Sequence, residues 1–151
     1  MPERVVGTIG AIAIRTAEGG PMREIDRAVA TRDGGLNGDI DVSPDRGVTF
    51  ISAVQWREVA AELKTDLPWH TRRANVLVEC AGLGDLIGRS VQLGDVQVAI
   101  LAETKPCGIM DRLHPGLLKS LLPDCRGGVY GRVLAGGTFQ TGDRLFDLSP
   151  T

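Results

Sequence analysis

Segments of alternating valine and isoleucine, interrupted by single glycines, limit this chain to an architecture of short strands. Arg4 to Arg15 alternates and is rich in Val and Ile, which predicts a first strand. Gly7 and Gly10 fall inside it, where a residue without a side chain marks a bend or a close backbone approach, as at the corner of a barrel. Met22 to Thr31 reads as a second extended stretch with weaker alternation. Val48-Thr49-Phe50-Ile51, Asn75 to Glu79, Gly128 to Leu134 and Arg144 to Leu148 predict further strands. Val91-Gln92-Leu93 and Val96-Gln97-Val98 flank Gly94-Asp95, a two-residue hairpin connection with glycine first, as a type II′ turn requires. Glu18-Gly19-Gly20-Pro21 and Gly136-Gly137 read as turns, and Gly34 to Asp39 as a glycine-rich loop. The 20 glycines are spread along the chain, the pattern of many tight turns between short strands.

Two helices interrupt this pattern. Ser52 is placed to cap the first, with Gln55 three residues on to complete a capping box, and Trp56, Val59, Ala60 and Leu63 form its apolar stripe. His114-Pro115 opens the second, with proline in its first turn and Leu117, Leu118, Leu121 and Leu122 on one face. Seven or more short strands, two helices and no βαβ rhythm predict a mainly-β fold with a closed or partly closed sheet, where closure would also dispose of exposed strand edges. With 151 residues, one domain spanning 1–151 is expected, with no internal repeat or linker.

Charge and cysteine content narrow the function classes. A net charge of −2 and the lack of a basic run give no footprint for nucleic acid. No apolar run approaches the ~18 residues that would span a bilayer, and Met1-Pro2-Glu3-Arg4 leads into β residues with no signal-peptide pattern, so a cytoplasmic location is expected. Cys80, Cys107 and Cys125 make an odd number with no C-x-x-C pair, which suits a reducing compartment better than a disulfide framework.

Chemistry concentrates at Thr104-Lys105-Pro106-Cys107. Pro106 restricts the backbone at the end of a strand and so fixes where Cys107 sits. Lys105 lies two positions before the sulfur and Arg112 five after it, and nearby positive charge favours thiolate, which is both nucleophile and metal ligand. The alternative is that Cys107 is a small buried hydrophobe, a common fate of free cysteine. Cys125, beside Arg126, is either a resolving partner for Cys107 or structural, and Cys80 reads as a packed thiol. Zinc held by Cys107, His114 and Cys125 fits no common ligand spacing. His70 and His114 show no triad pattern, and there is no phosphate-binding P-loop.

Read in order, these segments resemble the MOSC domain, named for the C-terminal part of molybdenum-cofactor sulfurases. Gly35-Leu36-Asn37-Gly38-Asp39 looks like the family's early G-x-x-G-D loop, and Arg72-Arg73-Ala74-Asn75 like its Arg-Glu-Asn segment. Leu86-Ile87-Gly88 with Leu93-Gly94-Asp95 looks like its paired glycine turns, and Pro106-Cys107 like the Pro-Cys bearing its characteristic cysteine. Gly127 to Val133 and Gly142-Asp143 resemble its closing segment. There are two departures: Asp39 is followed by Ile40-Asp41 where a histidine is usual, and Ala74 replaces the glutamate.

The resemblance implies a closed β-barrel like that of the pyruvate kinase barrel domain, with two or three short helices. It also implies molybdenum cofactor (molybdopterin) binding or sulfur carriage, with Cys107 as carrier or molybdenum ligand. Arg72 and Arg73 would clamp phosphate, and Asn75 would orient the pterin. The loop at Gly38 and Asp39 would let backbone approach the ligand, and Lys105 and Arg132 would add positive charge. Partners would be a molybdenum enzyme or a sulfur donor protein, or a redox partner if the protein is a reductase of N-hydroxylated compounds. A barrel retaining the fold without cofactor is the third alternative. The full sulfurases carry a separate pyridoxal-phosphate domain, so pyridoxal phosphate and desulfurase activity are not expected in this chain.

Overall fold

A computed structural model describes residues 4–18, 20–40 and 42–148. The turn residue Gly19 and Asp41, part of the departure after Asp39, lie outside the described residues. Among the described residues there are ten strands, in chain order: β1 (Arg4–Arg15), β2 (Met22–Ile25), β3 (Arg27–Ala30), β4 (Val48–Ser52), β5 (Val76–Glu79), β6 (Ser90–Leu93), β7 (Val96–Glu103), β8 (Val129–Ala135), β9 (Gly137–Gln140) and β10 (Arg144–Asp147). Three helices accompany them: α1 (Ala53–Leu63), α2 (Ile109–Leu113) and α3 (Leu117–Leu121).

Seven strands form a ring in the order β1-β10-β6-β7-β8-β4-β5, which returns to β1, while β2 extends β1 outside it. Closure depends on β1, which changes partners along its length. Arg4 to Thr8 pair with β10, Thr8 to Ile12 with β5, and Ile12 to Arg15 with β2. The register shifts between Val5 and Gly7 and again between Ile9 and Ala11, at the glycines the sequence marks as corners. At Gly7 a Cβ would lie 2.3 Å from the Glu79 carbonyl oxygen, so only glycine permits that approach.

The barrel interior is filled by the inward residues of the alternating strands, including Ile12, Phe50, Val76, Val98, Val133 and Leu145. A second cluster lies between the barrel wall and the helices, where Ile51, Trp56, Val59, Met110, Leu117 and Leu121 meet. This explains why all five residues of β4 are buried: its two faces look into different cores.

The structure also departs from the sequence-based expectations. β4, α1 and β5 form one βαβ crossover with β4 and β5 parallel, although no βαβ rhythm was legible. Met22 to Thr31 is two strands split at Asp26, and β3 pairs with β9, which covers residues expected to follow a plain turn. The Ser52 hydroxyl accepts from the Gln55 N–H (3.2 Å), but the Gln55 side chain donates to the Asp124 carbonyl (2.8 Å) instead of closing a capping box. Pro115 precedes α3, whose N-cap is Gly116, and α2 arises immediately after Cys107 where no helix was expected.

Candidate functional site

The residues after β7, before β5 and before β8 converge with the end of β1 around a cavity of about 200 Å3. Its wall contains Cys107, the guanidinium groups of Arg15, Arg46, Arg72 and Arg73, and the hydroxyl-bearing Thr49 and Thr104. No carboxylate lines it among the described residues, and Ala74 contributes only a methyl group where the family pattern would place glutamate. Cys107 is exposed, while Thr104 is buried.

The four arginines differ in how their charge is met. Arg15 forms a fork with Asp39, Nε to Oδ1 at 3.1 Å and Nη2 to Oδ2 at 2.8 Å, and the Asp39 side chain is fully buried. Arg73 donates to the backbone carbonyls of Gly20 and Ala17, and Arg46 lies 5.0 Å over the ring of Tyr130. Arg72 donates through Nη2 to the Thr104 carbonyl at 2.8 Å. Neutral carbonyls satisfy hydrogen bonds without cancelling charge, so the cavity keeps a positive surplus.

Two buried polar atoms in this wall have no partner: Arg72 Nε and Thr104 Oγ1. Buried donors are ordinarily paired, and leaving one unpaired costs about 1–3 kcal/mol. Burial holds the Arg72 guanidinium below its usual range, and the like charge of Arg46 adds to this; negative charge at Cys107 and Glu103 only partly offsets both. An anion accepting from Arg72 Nε and Thr104 Oγ1 would relieve both deficits. Gly127 makes the arrangement possible, since a Cβ there would come within 2.6 Å of the Thr104 carbonyl oxygen and 3.4 Å of Arg72 Nη2.

The other residues singled out by sequence take different places. Asn75 is fully buried and occupied: Oδ1 accepts from the Thr49 N–H (3.0 Å) and hydroxyl (3.1 Å), and Nδ2 donates to the Ala13 carbonyl and to Asp39 Oδ2, each at 3.1 Å. Its amide ties β1, β4 and the loop after β3 together behind the cavity. Gly38 takes φ +87°, the left-handed turn that delivers Asp39 to Arg15. Arg132 pairs with Asp33 (2.9 Å) and Asp45 (3.4 Å), and neither it nor the exposed Lys105 lines the cavity. Sequence reasoning missed Arg15 and Arg46 as cavity residues. The signal for Arg15 was the fork between the end of β1 and the Asp39 loop, which only the folded register reveals; Arg46, on a turn, left none.

A larger hollow of about 650 Å3 lies elsewhere, lined by Cys80 and Cys125 with Arg4, Asp85 and Asp124. Burial is the leading cause that pushes both thiols up, and neighbouring carboxylates push Cys125 further, so these sulfurs are held protonated. Cys125 thus lines a different hollow from Cys107, and the smaller, cationic cavity is the better chemical site. Among the described residues no three or more His, Cys, Asp or Glu side chains gather as a metal cluster, which leaves the zinc alternative without a ligand set. No helix among them is long and apolar enough to cross a membrane.

Comparison with known proteins agrees with this fold. The MOSC domain family model matches residues 37–146, most of the chain. The YuaD protein of Bacillus subtilis superposes with a TM-score of 0.82 at 16% identity, over 99% of each chain. YiiM from Escherichia coli gives 0.75 at 14% identity, over 95% of this chain and 71% of that one. YiiM from Geobacillus stearothermophilus gives 0.71 at 17%, over 98% and 76%. At such identities the likeness establishes the shared fold. No curated protein matches.

Proposed function

The chain belongs to the MOSC domain family, and on that premise we propose that it holds a phosphate-bearing molybdenum cofactor in the arginine-lined cavity, presenting Cys107 to the metal or to a sulfur donor. The observation carrying this reading is the pair of unpartnered buried atoms, Arg72 Nε and Thr104 Oγ1, in a wall free of carboxylates. The donor set fits the group. Guanidinium forks and hydroxyls suit phosphate oxygens, and one exposed cysteine offers the soft anionic sulfur that molybdenum takes. When bound, such a cofactor supplies two-electron exchange at its metal.

The chain's own residues do the positioning. Arg72 and Thr104 would donate to the anion's oxygens, Arg73 and Arg46 would add charge, and the Asp39–Asn75 fastening would keep Arg15 beside the cavity. Pro106 and the turn into α2 would hold Cys107 exposed beside the cavity, where a partner could reach it.

A second reading, sulfur carriage, is favoured by the exposure of Cys107. The thiolate attacks the terminal sulfur of a donor protein's persulfide, the donor S–S bond breaks, and the donor leaves as thiolate while Cys107 retains the sulfur. The cavity's positive charge would favour the resulting anionic persulfide.

Purification from a host that makes molybdenum cofactor tests both. Molybdenum by mass spectrometry and pterin by fluorescence should be near stoichiometric, with molybdenum lost in Cys107→Ala. A persulfide on Cys107 without molybdenum selects the carrier reading. Turnover of N-hydroxylated compounds with a reductase present would make the protein a molybdenum-dependent enzyme. Absence of metal, pterin and persulfide would leave a cofactor-free barrel.

A further inference from the structure

Arg15, Arg72 and Arg73 are each held in the cavity wall by side-chain hydrogen bonds, whereas Arg46 rests on the Tyr130 ring. Arg46 is exposed and closes the turn at Pro44-Asp45, donating its N–H to the Ser43 carbonyl (3.0 Å). Burial holds the Arg72 guanidinium below its usual range and the like charge of Arg46 adds to this, so the two groups repel. An arginine on an exposed turn would relieve that repulsion by swinging into solvent. What opposes the swing lies on β8. Tyr130 and Arg132 are half-buried and alternate with the buried Val129, Gly131 and Val133, so their side chains leave the same outward face of the strand. Between them, the Gly131 carbonyl accepts from the Gly47 N–H at 3.0 Å, which fastens the chain just after the turn. The Tyr130 ring meets Arg46 at 5.0 Å. Arg132 meets the preceding residue, Nη1 to Asp45 Oδ1 at 3.4 Å. Its Nε donates to Asp33 Oδ1 at 2.9 Å, and the Asp33 N–H in turn donates to the Val133 carbonyl at 2.9 Å.

We propose that Arg132 is a positioning residue for the anion site: by holding Asp45 it fixes the turn that carries Arg46, and so keeps that guanidinium in the cavity wall beside Arg72. This deepens the proposed function by adding a residue that does not itself line the cavity, and it rests on the anion reading of that cavity. Arg132 and Asp45 are 39% and 71% exposed, so their pairing adds little to the stability of the whole domain. Its effect is local, on where one side chain points. Two explanations of any effect at Asp45 then differ in sign. On charge alone, deleting a carboxylate near the cavity would tighten phosphate binding. As an anchor, its loss weakens binding, because Arg46 is released.

Calorimetric titration of inorganic phosphate into the full chain at low ionic strength tests this. Asp45→Ala should weaken phosphate binding about fivefold, and Arg132→Gln, which cuts the same tie from the other end, by a similar factor. Arg46→Gln should cost about tenfold or more, since it removes the guanidinium itself. In the Arg46→Gln background, adding either of the other two changes should alter affinity by less than about twofold, because the anchor has nothing left to hold. Thermal unfolding of Asp45→Ala should stay within about 2 °C of the unaltered protein. Phosphate bound equally or more tightly by Asp45→Ala would overturn the inference while sparing the anion reading. A loss in Arg132→Gln that persists undiminished in the Arg46→Gln background would overturn it too, since a long-range field and not placement would then be at work. Failure of the unaltered protein to bind phosphate would defeat the anion reading and this inference together.

Discussion

Thr104→Val separates a binding site from a merely polar crevice, because it is expected to move stability and affinity in opposite directions. Valine has nearly the shape of threonine, and the Thr104 backbone contacts, N–H to the Gly128 carbonyl (2.8 Å) and carbonyl from Arg72 Nη2 (2.8 Å), do not involve the hydroxyl. In the free protein the hydroxyl is buried without a partner. Removing it should recover about 1 kcal/mol, the low end of the cost of an unpaired buried group. For a domain of this size that corresponds to a rise in Tm of roughly 2–4 °C. The same change deletes a hydrogen bond to a bound anion, typically worth about 1.5–3 kcal/mol when the acceptor is charged, so phosphate affinity should fall at least ~10-fold. Thermal unfolding with and without phosphate, alongside calorimetric titration, reads both quantities. A variant that melts lower and binds phosphate normally would show that the hydroxyl is structural, and the carrying observation for the anion site would be gone.

Ala74→Glu would put a carboxylate into a wall that has none, beside Arg73 and within the same cavity as Arg72. Phosphate affinity should drop by about tenfold or more as the new charge competes for the guanidinium groups, which titration would show directly. Asn75→Ala removes a buried amide whose two ends serve β1, β4 and the Asp39 loop. Loss of these contacts, with partners left unpaired, should cost about 3 kcal/mol in denaturant unfolding, while the alkylation rate of the exposed Cys107 in the folded protein stays within about twofold. The Cys80 and Cys125 thiols are raised chiefly by burial, so folding favours their protonated forms. Their contribution is complete below the ordinary thiol range and is lost as pH climbs through the raised values. Cys80→Ala combined with Cys125→Ala should therefore flatten the alkaline limb of stability against pH; an unchanged limb would contradict this.

The strands were legible because each lays one face on a core, and period two survives in sequence wherever the other face is polar. β1 was readable to its ends, and even its corners showed, since glycine is the residue a close backbone approach requires. β4 and the crossover to β5 were harder: with both faces buried, Val48 to Ser52 carries no alternation that could reveal a parallel partner. α2 was invisible because Ile109 to Leu113 is too short for helical periodicity and is held by Met110 packing on the second cluster. Of the residues that line the candidate cavity, Cys107, Arg72 and Arg73 were singled out by local context and family pattern. Arg15 and Arg46 were not, as their place in the cavity depends on which strand ends meet. Asn75 and Asp39 were recognised by type but turned inward, since a buried carboxylate beside an arginine satisfies itself before it can serve a ligand.

The seam that joins β1 to β10 pairs Arg4 with Asp147 and Thr8 with Arg144. A nascent chain synthesised only through β9 therefore has the first and sixth strands waiting with unpaired backbone, an invitation to intermolecular association. Ring completion cannot precede the arrival of β10, and pairing across such separation predicts slow, late-committed folding. Refolding of full chain and a version ending before Arg144, followed by light scattering, would show aggregation confined to the shortened form.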